Sequence, residues 1–168
     1  MILTGQQIRE LCGSEKPIIT GFIDFEKQLQ MHGFDLTVEE ISEFAGQGVV
    51  DFTNAERKIP ETKKIAPDEN EFWNLKQGVY KVTTNENFNM PLDTGGFAQT
   101  RSTLLRMGAS VSTGLWDAGF SGKCEFLLNV INPEGIKIKK NAKIAQLCFF
   151  KLSGSVKTGY NGAYKNLK

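Results

Sequence analysis

The sequence predicts a mainly β protein built as one compact domain, with a short helix at its N-terminus. The chain has 168 residues, which is close to the size of a single domain. Glycine accounts for 17 of them, above the average of about 7%. From residue 17 onward, short runs rich in Val, Ile, Leu and Phe alternate with polar and turn residues. This spacing favours a sandwich or barrel over alternating strand–helix units.

Helix signals occur at two places. Thr4 is a suitable N-cap for residues 5–12, and Gly13 is a typical stop. A second short helix is predicted over Leu104–Met107, just before a glycine. The stretch Asn54–Glu71 is polar and charged and contains two prolines, so we expect it to form a surface excursion between strands.

The remaining segments predict ten strands, each bounded by turn residues. These are Ile18–Ile23, Gly33–Val38, Glu40–Phe44, Gly48–Val50, Gly78–Thr83, Gly95–Arg101, Ser110–Ser112, Cys124–Val130, Ile136–Ile138 and Ile144–Lys151. Together they predict one domain over residues 1–155. Residues 156–168 are rich in glycine and asparagine and read as a flexible C-terminal arm.

Composition argues against several classes of function. Lys plus Arg is 20 and Asp plus Glu is 19, so there is no strong net charge to attract nucleic acid or an anionic membrane. No apolar run approaches the roughly 20 residues of a membrane span, and the N-terminus does not read as a secretory signal. Cys12, Cys124 and Cys148 lack metal-binding spacing. We therefore expect a cytoplasmic protein with neither nucleic acid nor membrane as a partner.

Polar residues at three places suggest a catalytic or binding role, and each of the three also has a purely structural explanation. His32 is the single histidine, so an enzyme of this sequence would rely on carboxylates and cations. Arg101–Thr103 offers a cation, two hydroxyls and free N–H groups, which suit phosphate oxygens but also a capped turn. Asp117 precedes a glycine-rich turn, which it could simply cap. Gln146 lies in an apolar run and needs a partner, either backbone or ligand.

Taken as a set, these segments are more specific than any one of them. The dUTPase and dCTP deaminase superfamily has motifs that the chain resembles, in order, at Gly33–Leu36, Arg101–Arg106, Gly114–Gly122, Lys143–Leu147 and, loosely, Tyr160–Lys165. Resemblance to the deaminase branch extends to the opening MILTGQQIRELC and to Leu75–Tyr80 followed by Thr84 and Glu86.

The resemblance implies a compact β-barrel or β-clip fold assembled as a homotrimer. Active sites would lie at subunit interfaces and use residues from neighbouring chains. The ligand would be a pyrimidine deoxynucleoside triphosphate with Mg²⁺. Members of one branch hydrolyse dUTP to dUMP and diphosphate, members of the other remove the 4-amino group of dCTP, and some do both.

One position separates the two reactions. The deaminase branch carries a proton-shuttling Glu ten residues after the motif aspartate, which corresponds to Leu127 when counted from Asp117. Glu125 is the nearest acid, but two strand residues place it about 6–7 Å away. Proton transfer needs contact at about 2.6–3.2 Å.

We therefore predict a dUTP diphosphatase. A dCTP deaminase or bifunctional enzyme is the first alternative, if a local shift in register brings Glu125 into place, and a nucleotide-binding regulator with little turnover is the second.

The resemblance also implies roles for individual residues. Asp117 would activate or orient the water that attacks the α-phosphorus, and Asp35 would contact Mg²⁺ through water. The residues expected to bind phosphate oxygens are Arg101, Ser102, Thr103, Arg106, Gln146 and Lys165. Arg106 could equally form a salt bridge in the trimer interface.

The nucleoside would lie against the hairpin that begins at Gly114. Its backbone would pair with the uracil edge, the Phe120 ring would leave no room for a 2′-hydroxyl, and a tyrosine of the arm would stack on the base. The residues expected to contact the nucleoside are Gly114, Leu115, Trp116, Phe120, Tyr160 and Tyr164.

Overall fold

Residues 1–165, which the computed structural model describes, form three short helices and eleven strands. The helices are α1 (Gly5–Cys12), α2 (Phe25–Gln28) and α3 (Ser102–Arg106). The strands are β1 (Ile19–Thr20), β2 (Leu29–Gln30), β3 (Gly33–Ala45), β4 (Glu61–Lys64), β5 (Phe72–Leu75), β6 (Gly78–Asn89), β7 (Thr94–Thr100), β8 (Ala109–Ser112), β9 (Ser121–Val130), β10 (Ile136–Lys139) and β11 (Lys143–Lys151).

Nine of these strands form one nearly closed sheet. The main order is β7-β11-β3-β6-β9-β8, while β1 pairs with β6, and β2 and β4 pair with β3. The edge strands β7 and β8 approach each other at Thr100, whose hydroxyl accepts a hydrogen bond from the Val111 N–H (2.9 Å) and donates one to the Val111 carbonyl (3.3 Å). The predicted mainly β, barrel-like fold is confirmed.

Alternation along β9 decides which side chains face the core. Cys124, Phe126 and Leu128 are buried, whereas Glu125 and Leu127 are exposed on the opposite face. Side chains two residues apart share a face of a strand, so Glu125 and Leu127 lie on the same side, as predicted. The buried residues of the strand join the core of the molecule, where each large apolar side chain stabilises the fold by about 1.5–3 kcal/mol.

The N-terminal helix is confirmed together with its caps. Thr4 and Gln7 form a reciprocal capping box, and the Gly13 N–H donates to the Arg9 carbonyl at 3.0 Å. The second predicted helix begins earlier than expected, at Ser102 instead of Leu104. No helix within residues 1–165 combines the length and the apolar character that a membrane crossing requires.

Two strand predictions are wrong for identifiable reasons. Gly48–Val50 is no strand, because only Val49 pairs, in an isolated bridge with Lys58. The two segments predicted around Thr37 and Ile41 are one long strand, β3. A register shift between Val38 and Glu40 bends this strand without ending it.

Four elements were not predicted, including the two-residue strand β2. One is α2, a single turn capped by the Asp24 side chain, which is too short to show helical periodicity. Another, β4, lies within the polar stretch predicted as a surface excursion, and β5 directly follows that stretch. The predicted strand over residues 18–23 shortens to the two residues of β1.

Candidate functional site

The loop between β8 and β9, residues 113–120, borders a cavity of about 430 Å³. Trp116 ties this loop to β7, because its N–H donates to the Gly96 carbonyl and its carbonyl accepts from the Gly96 N–H, both at 2.9 Å. Gly119 turns the chain with a φ of +79°, a conformation that favours glycine. Backbone hydrogen bonds and one glycine therefore fix the shape of the cavity wall.

The cavity collects every residue that the sequence predicted to contact a nucleoside. All six line it, together with Asp117. Four further lining residues were not predicted in this role: Thr113, Lys123, Cys124 and Glu125. Burial raises the pKa of the Cys124 thiol, so this part of the wall is neutral.

Asp117 has the freedom that a catalytic carboxylate needs. Its side chain is exposed in the cavity and makes no hydrogen bond or ion pair with another side chain or backbone group of residues 1–165. The turn that follows it is closed by the backbone, with the Phe120 N–H donating to the Asp117 carbonyl at 3.1 Å. The turn-cap alternative is therefore not supported, and both carboxylate oxygens are without a partner within residues 1–165.

Trp116 corrects one detail of the predicted nucleoside site. Its side chain is buried and its ring packs edge-on against Phe88 at 5.7 Å, so the ring belongs to the core. Both of its backbone groups are already paired with Gly96 and cannot recognise a base. Gly114 and Leu115 are exposed and form no backbone hydrogen bond within the described part of the chain, so their backbone groups are free.

The C-terminal residues pack directly against the same loop. The Tyr160 N–H donates to the Ala118 carbonyl at 2.8 Å, and the Tyr160 ring lies edge-on to Phe120 at 5.6 Å. A Cβ on Gly119 would lie 2.5 Å from the Gly159 Cα, so these two backbones touch only because both residues are glycines. The arm thus forms one wall of the cavity.

Two ion pairs line the β9 side of the cavity. The Glu125 carboxylate accepts from the Lys81 ammonium at 2.7 Å, and Lys123 pairs with Glu39. Leu127, one pleat further along, is not part of the wall. On the β9 side, the acid that borders the cavity is therefore Glu125, which is already paired with a lysine.

The predicted phosphate-binding residues gather elsewhere, around Asp35. This carboxylate is 2% exposed and contacts Arg101 Nε at 3.3 Å through one oxygen and Lys143 Nζ at 3.1 Å through the other. The Gln30 amide donates to the second oxygen at 3.1 Å. Each oxygen thus contacts one cation. Asp35 orients Arg101 and Lys143, and its contact with Mg²⁺ through water stays a prediction.

Other predicted phosphate ligands surround this cluster. Gln146 lies opposite Asp35 in the sheet register, half-buried, and its side-chain amide has no hydrogen-bond partner within residues 1–165. Ser102 and Thr103 are exposed in the first turn of α3, and Arg106 is exposed at its end. Lys143 was not predicted in this role, although it begins the fourth motif. Its contact with Asp35 depends on the pairing of β3 with β11.

The cavity and the Asp35 cluster lie at opposite ends of β7. Gly96 adjoins Trp116 at the cavity, and Arg101 follows five residues later, roughly 16 Å away at about 3.3 Å per residue. Lys165 is exposed and follows Tyr164, which lines the cavity. One chain therefore holds two half-sites and does not bring all the predicted residues together.

The nearly closed β sheet has the same class of fold as a solved dCTP deaminase. The crystal structure of 2′-deoxycytidine 5′-triphosphate deaminase from Agrobacterium tumefaciens superposes with a TM-score of 0.64 at 17% identity, covering 88% of this chain and 47% of that one. The model of the dCTP deaminase-like family matches residues 2–152. The chain belongs to the dCTP deaminase-like family, which confirms the predicted superfamily.

Relatives extend the match over nearly the whole chain. A protein of Methanosarcina mazei named probable deoxyuridine 5′-triphosphate nucleotidohydrolase is 41% identical over 165 residues, which cover 98% of this chain and 96% of the relative. A Methanocaldococcus jannaschii protein named deoxyuridine 5′-triphosphate nucleotidohydrolase is 42% identical over 141 residues, covering 83% and 88%.

Proposed function

We propose that this protein is a dUTP diphosphatase, which hydrolyses dUTP to dUMP and diphosphate. The observation that carries the proposal is the unpaired carboxylate of Asp117 in a cavity lined by all six predicted nucleoside contacts. Leu127 stands where a deaminase of this family would need a proton shuttle. The names of the near-full-length relatives support the same reaction.

In this reaction, Asp117 accepts a proton from the water that attacks the α-phosphorus. A new P–O bond forms as the bond from the α-phosphorus to the bridging oxygen breaks, and diphosphate leaves with the electron pair. Arg101 and Lys143, both oriented by Asp35, stabilise the negative charge that develops on the phosphate oxygens. Further hydrogen bonds to the same oxygens come from Ser102, Thr103, Gln146 and Lys165. Arg106 either binds these oxygens or forms a salt bridge in the trimer interface.

The described residues do not fit a magnesium site held by protein ligands. Asp35 is predicted to contact the ion only through water, and residues 1–165 contain no group of three or more His, Cys, Asp or Glu that could hold a metal ion. The magnesium dependence that we expect would therefore rest on triphosphate and water oxygens, a common arrangement for this ion.

The separation of the two half-sites supports an active site shared between chains, and we propose the homotrimer that the family resemblance implies. Roughly 16 Å along β7 separates the cavity from Arg101. We also propose a cytoplasmic location, because the three cysteines are free thiols. The boundary at residue 155 stays a prediction, and the family match ends close to it, at residue 152.

A product assay tests the reaction. The protein is incubated with dUTP and with dCTP in separate samples containing Mg²⁺, and nucleotides, diphosphate and ammonia are measured. We expect dUMP and diphosphate from dUTP and no ammonia from dCTP. Binding of dUTP without turnover would instead support a regulator.

Deamination is kept as the second candidate because Glu125 borders the cavity. Ammonia release from dCTP that is lost in Glu125→Gln would overturn the diphosphatase proposal in favour of that reaction. A Leu127→Glu variant that gains slight deamination would support the assignment of position 127 as the shuttle position.

A further inference from the structure

The excursion between β3 and β4 reaches the mouth of the nucleotide cavity. It leaves the sheet at Ala45, returns at Glu61 and is held as a narrow loop by two backbone hydrogen bonds between Val49 and Lys58 (2.9 and 3.0 Å). Near its end, the Arg57 guanidinium lies 5.9 Å from the centroid of the Tyr164 ring. Tyr164 belongs to the arm and lines the cavity.

Arg57 contacts the arm further along the chain than two backbone hydrogen bonds that hold it. These bonds run from the Val156 N–H to the Leu92 carbonyl and from the Tyr160 N–H to the Ala118 carbonyl, both 2.8 Å. Beyond Tyr160, the Arg57–Tyr164 contact joins the arm to a segment more than one hundred residues earlier in the chain.

The contact has the features of a cation–π interaction that nothing else in the described chain competes for. A guanidinium within about 6 Å of an aromatic centroid is attracted to the ring face. Neither side chain forms an ion pair or a side-chain hydrogen bond within residues 1–165. Arg57 is therefore free to act on the tyrosine.

We propose that Arg57 is a positioning residue that holds Tyr164 over the cavity, so that the excursion of residues 46–60 supports the closed arm. The effect of this contact on the KM for dUTP rests on the proposed function. An arm held closed favours the conformation that binds nucleotide, so loss of Arg57 raises the KM for dUTP. The strength of an exposed cation–π contact corresponds to a change in KM of about two- to five-fold.

A double-mutant cycle tests the coupling between the two side chains. Arg57→Gln should raise KM by about two- to five-fold with little change in kcat, and this effect should disappear in a Tyr164→Leu background. Tyr164→Phe keeps the ring and should keep the effect. Lys58→Ala, which removes the neighbouring exposed charge, should leave KM unchanged. An Arg57 effect that persists without the Tyr164 ring, or an equal effect of Lys58→Ala, would overturn the proposal.

A second readout needs no substrate. Trypsin cleavage after Lys165, followed by intact mass in nucleotide-free protein, reports how often the end of the arm opens when opening is fast relative to cleavage. We expect Arg57→Gln to accelerate this cleavage by about two- to five-fold and Lys58→Ala to leave it unchanged. Equal cleavage of wild type and Arg57→Gln would refute the positioning role. If the protein fails to hydrolyse dUTP, the proposed function fails, while this measurement still decides the role of Arg57.

Discussion

At the scale of single residues, Asp117 is the side chain on which the proposed hydrolysis depends. Asparagine has the same size and can hydrogen-bond a water, but it cannot accept a proton. We therefore expect Asp117→Asn to lower kcat by about 10²–10⁴-fold while largely preserving dUTP binding. Diphosphate release measures the first quantity and titration calorimetry the second.

The matched control for this variant is Glu134→Gln, which neutralises an exposed carboxylate outside the cavity lining. It should hydrolyse dUTP at the wild-type rate. Near-normal turnover of Asp117→Asn would show that this carboxylate is not the base.

The sequence located the nucleoside cavity better than the phosphate cluster. Residues 114–120 are contiguous, so the motif alone brings most of that wall together. The surroundings of Asp35 depend instead on how β3, β7 and β11 pair, which places Arg101 and Lys143 on its two oxygens. The paired backbone of Trp116 could not be predicted for the same reason, because its pairing with Gly96 is a long-range contact.

At the scale of secondary-structure elements, the C-terminal arm is expected to matter for turnover more than for stability. It lines the cavity with Tyr160 and Tyr164, but none of its described residues, 156–165, belongs to the buried core. Truncation after Ser155 should therefore lower kcat/KM strongly. The melting temperature should change by no more than the roughly 2–4 °C that corresponds to 1 kcal/mol.

Steady-state kinetics and calorimetry of the truncated and complete chains provide this comparison. Normal dUTP hydrolysis by the truncated chain would show that residues 156–168 have no catalytic role. A large loss of thermal stability would show instead that the arm is part of the folded domain.

A buried carboxyl group links β3 to β6 and makes stability depend on pH. Glu86 is fully buried and accepts hydrogen bonds from the Thr37 N–H, the Thr37 hydroxyl and the Gln28 amide. Burial raises the pKa of Glu86 above its ordinary value near 4.5, so the folded protein holds this proton more tightly than the unfolded chain. Its contribution to the free energy of unfolding is present below that ordinary pKa and is lost as pH rises through the raised pKa.

We expect Glu86→Gln to remove this component of the pH dependence. The free energy of unfolding, measured by urea titration from below the ordinary carboxyl pKa to neutral pH, should fall less steeply with pH in the variant than in wild type. The glutamine amide places an N–H donor among groups that already donate, so the variant is less stable at every pH. The informative quantity is therefore the slope of the free energy of unfolding against pH. Identical slopes would contradict a raised pKa for Glu86.

At the scale of the whole molecule, the two half-sites make a prediction about assembly. A trimer would sediment at three times the chain mass of 18.7 kDa. Sharing of the active site between chains needs a stricter test, because a trimer could also form with each site inside one chain.

Co-expression of two inactive variants supplies that test. Asp117→Asn disables the half-site at the cavity. Arg101→Gln weakens the half-site around Asp35 while keeping a hydrogen-bond donor for the Asp35 carboxylate. Each variant alone should be nearly inactive. A shared site is intact when its cavity comes from an Arg101→Gln chain and its Asp35 cluster comes from an Asp117→Asn chain. In a randomly mixed cyclic trimer, about a quarter of the sites meet this condition, so about a quarter of wild-type activity should return. If every site lies within one chain, each site retains a defect and mixing restores nothing, which would refute an active site assembled from neighbouring chains.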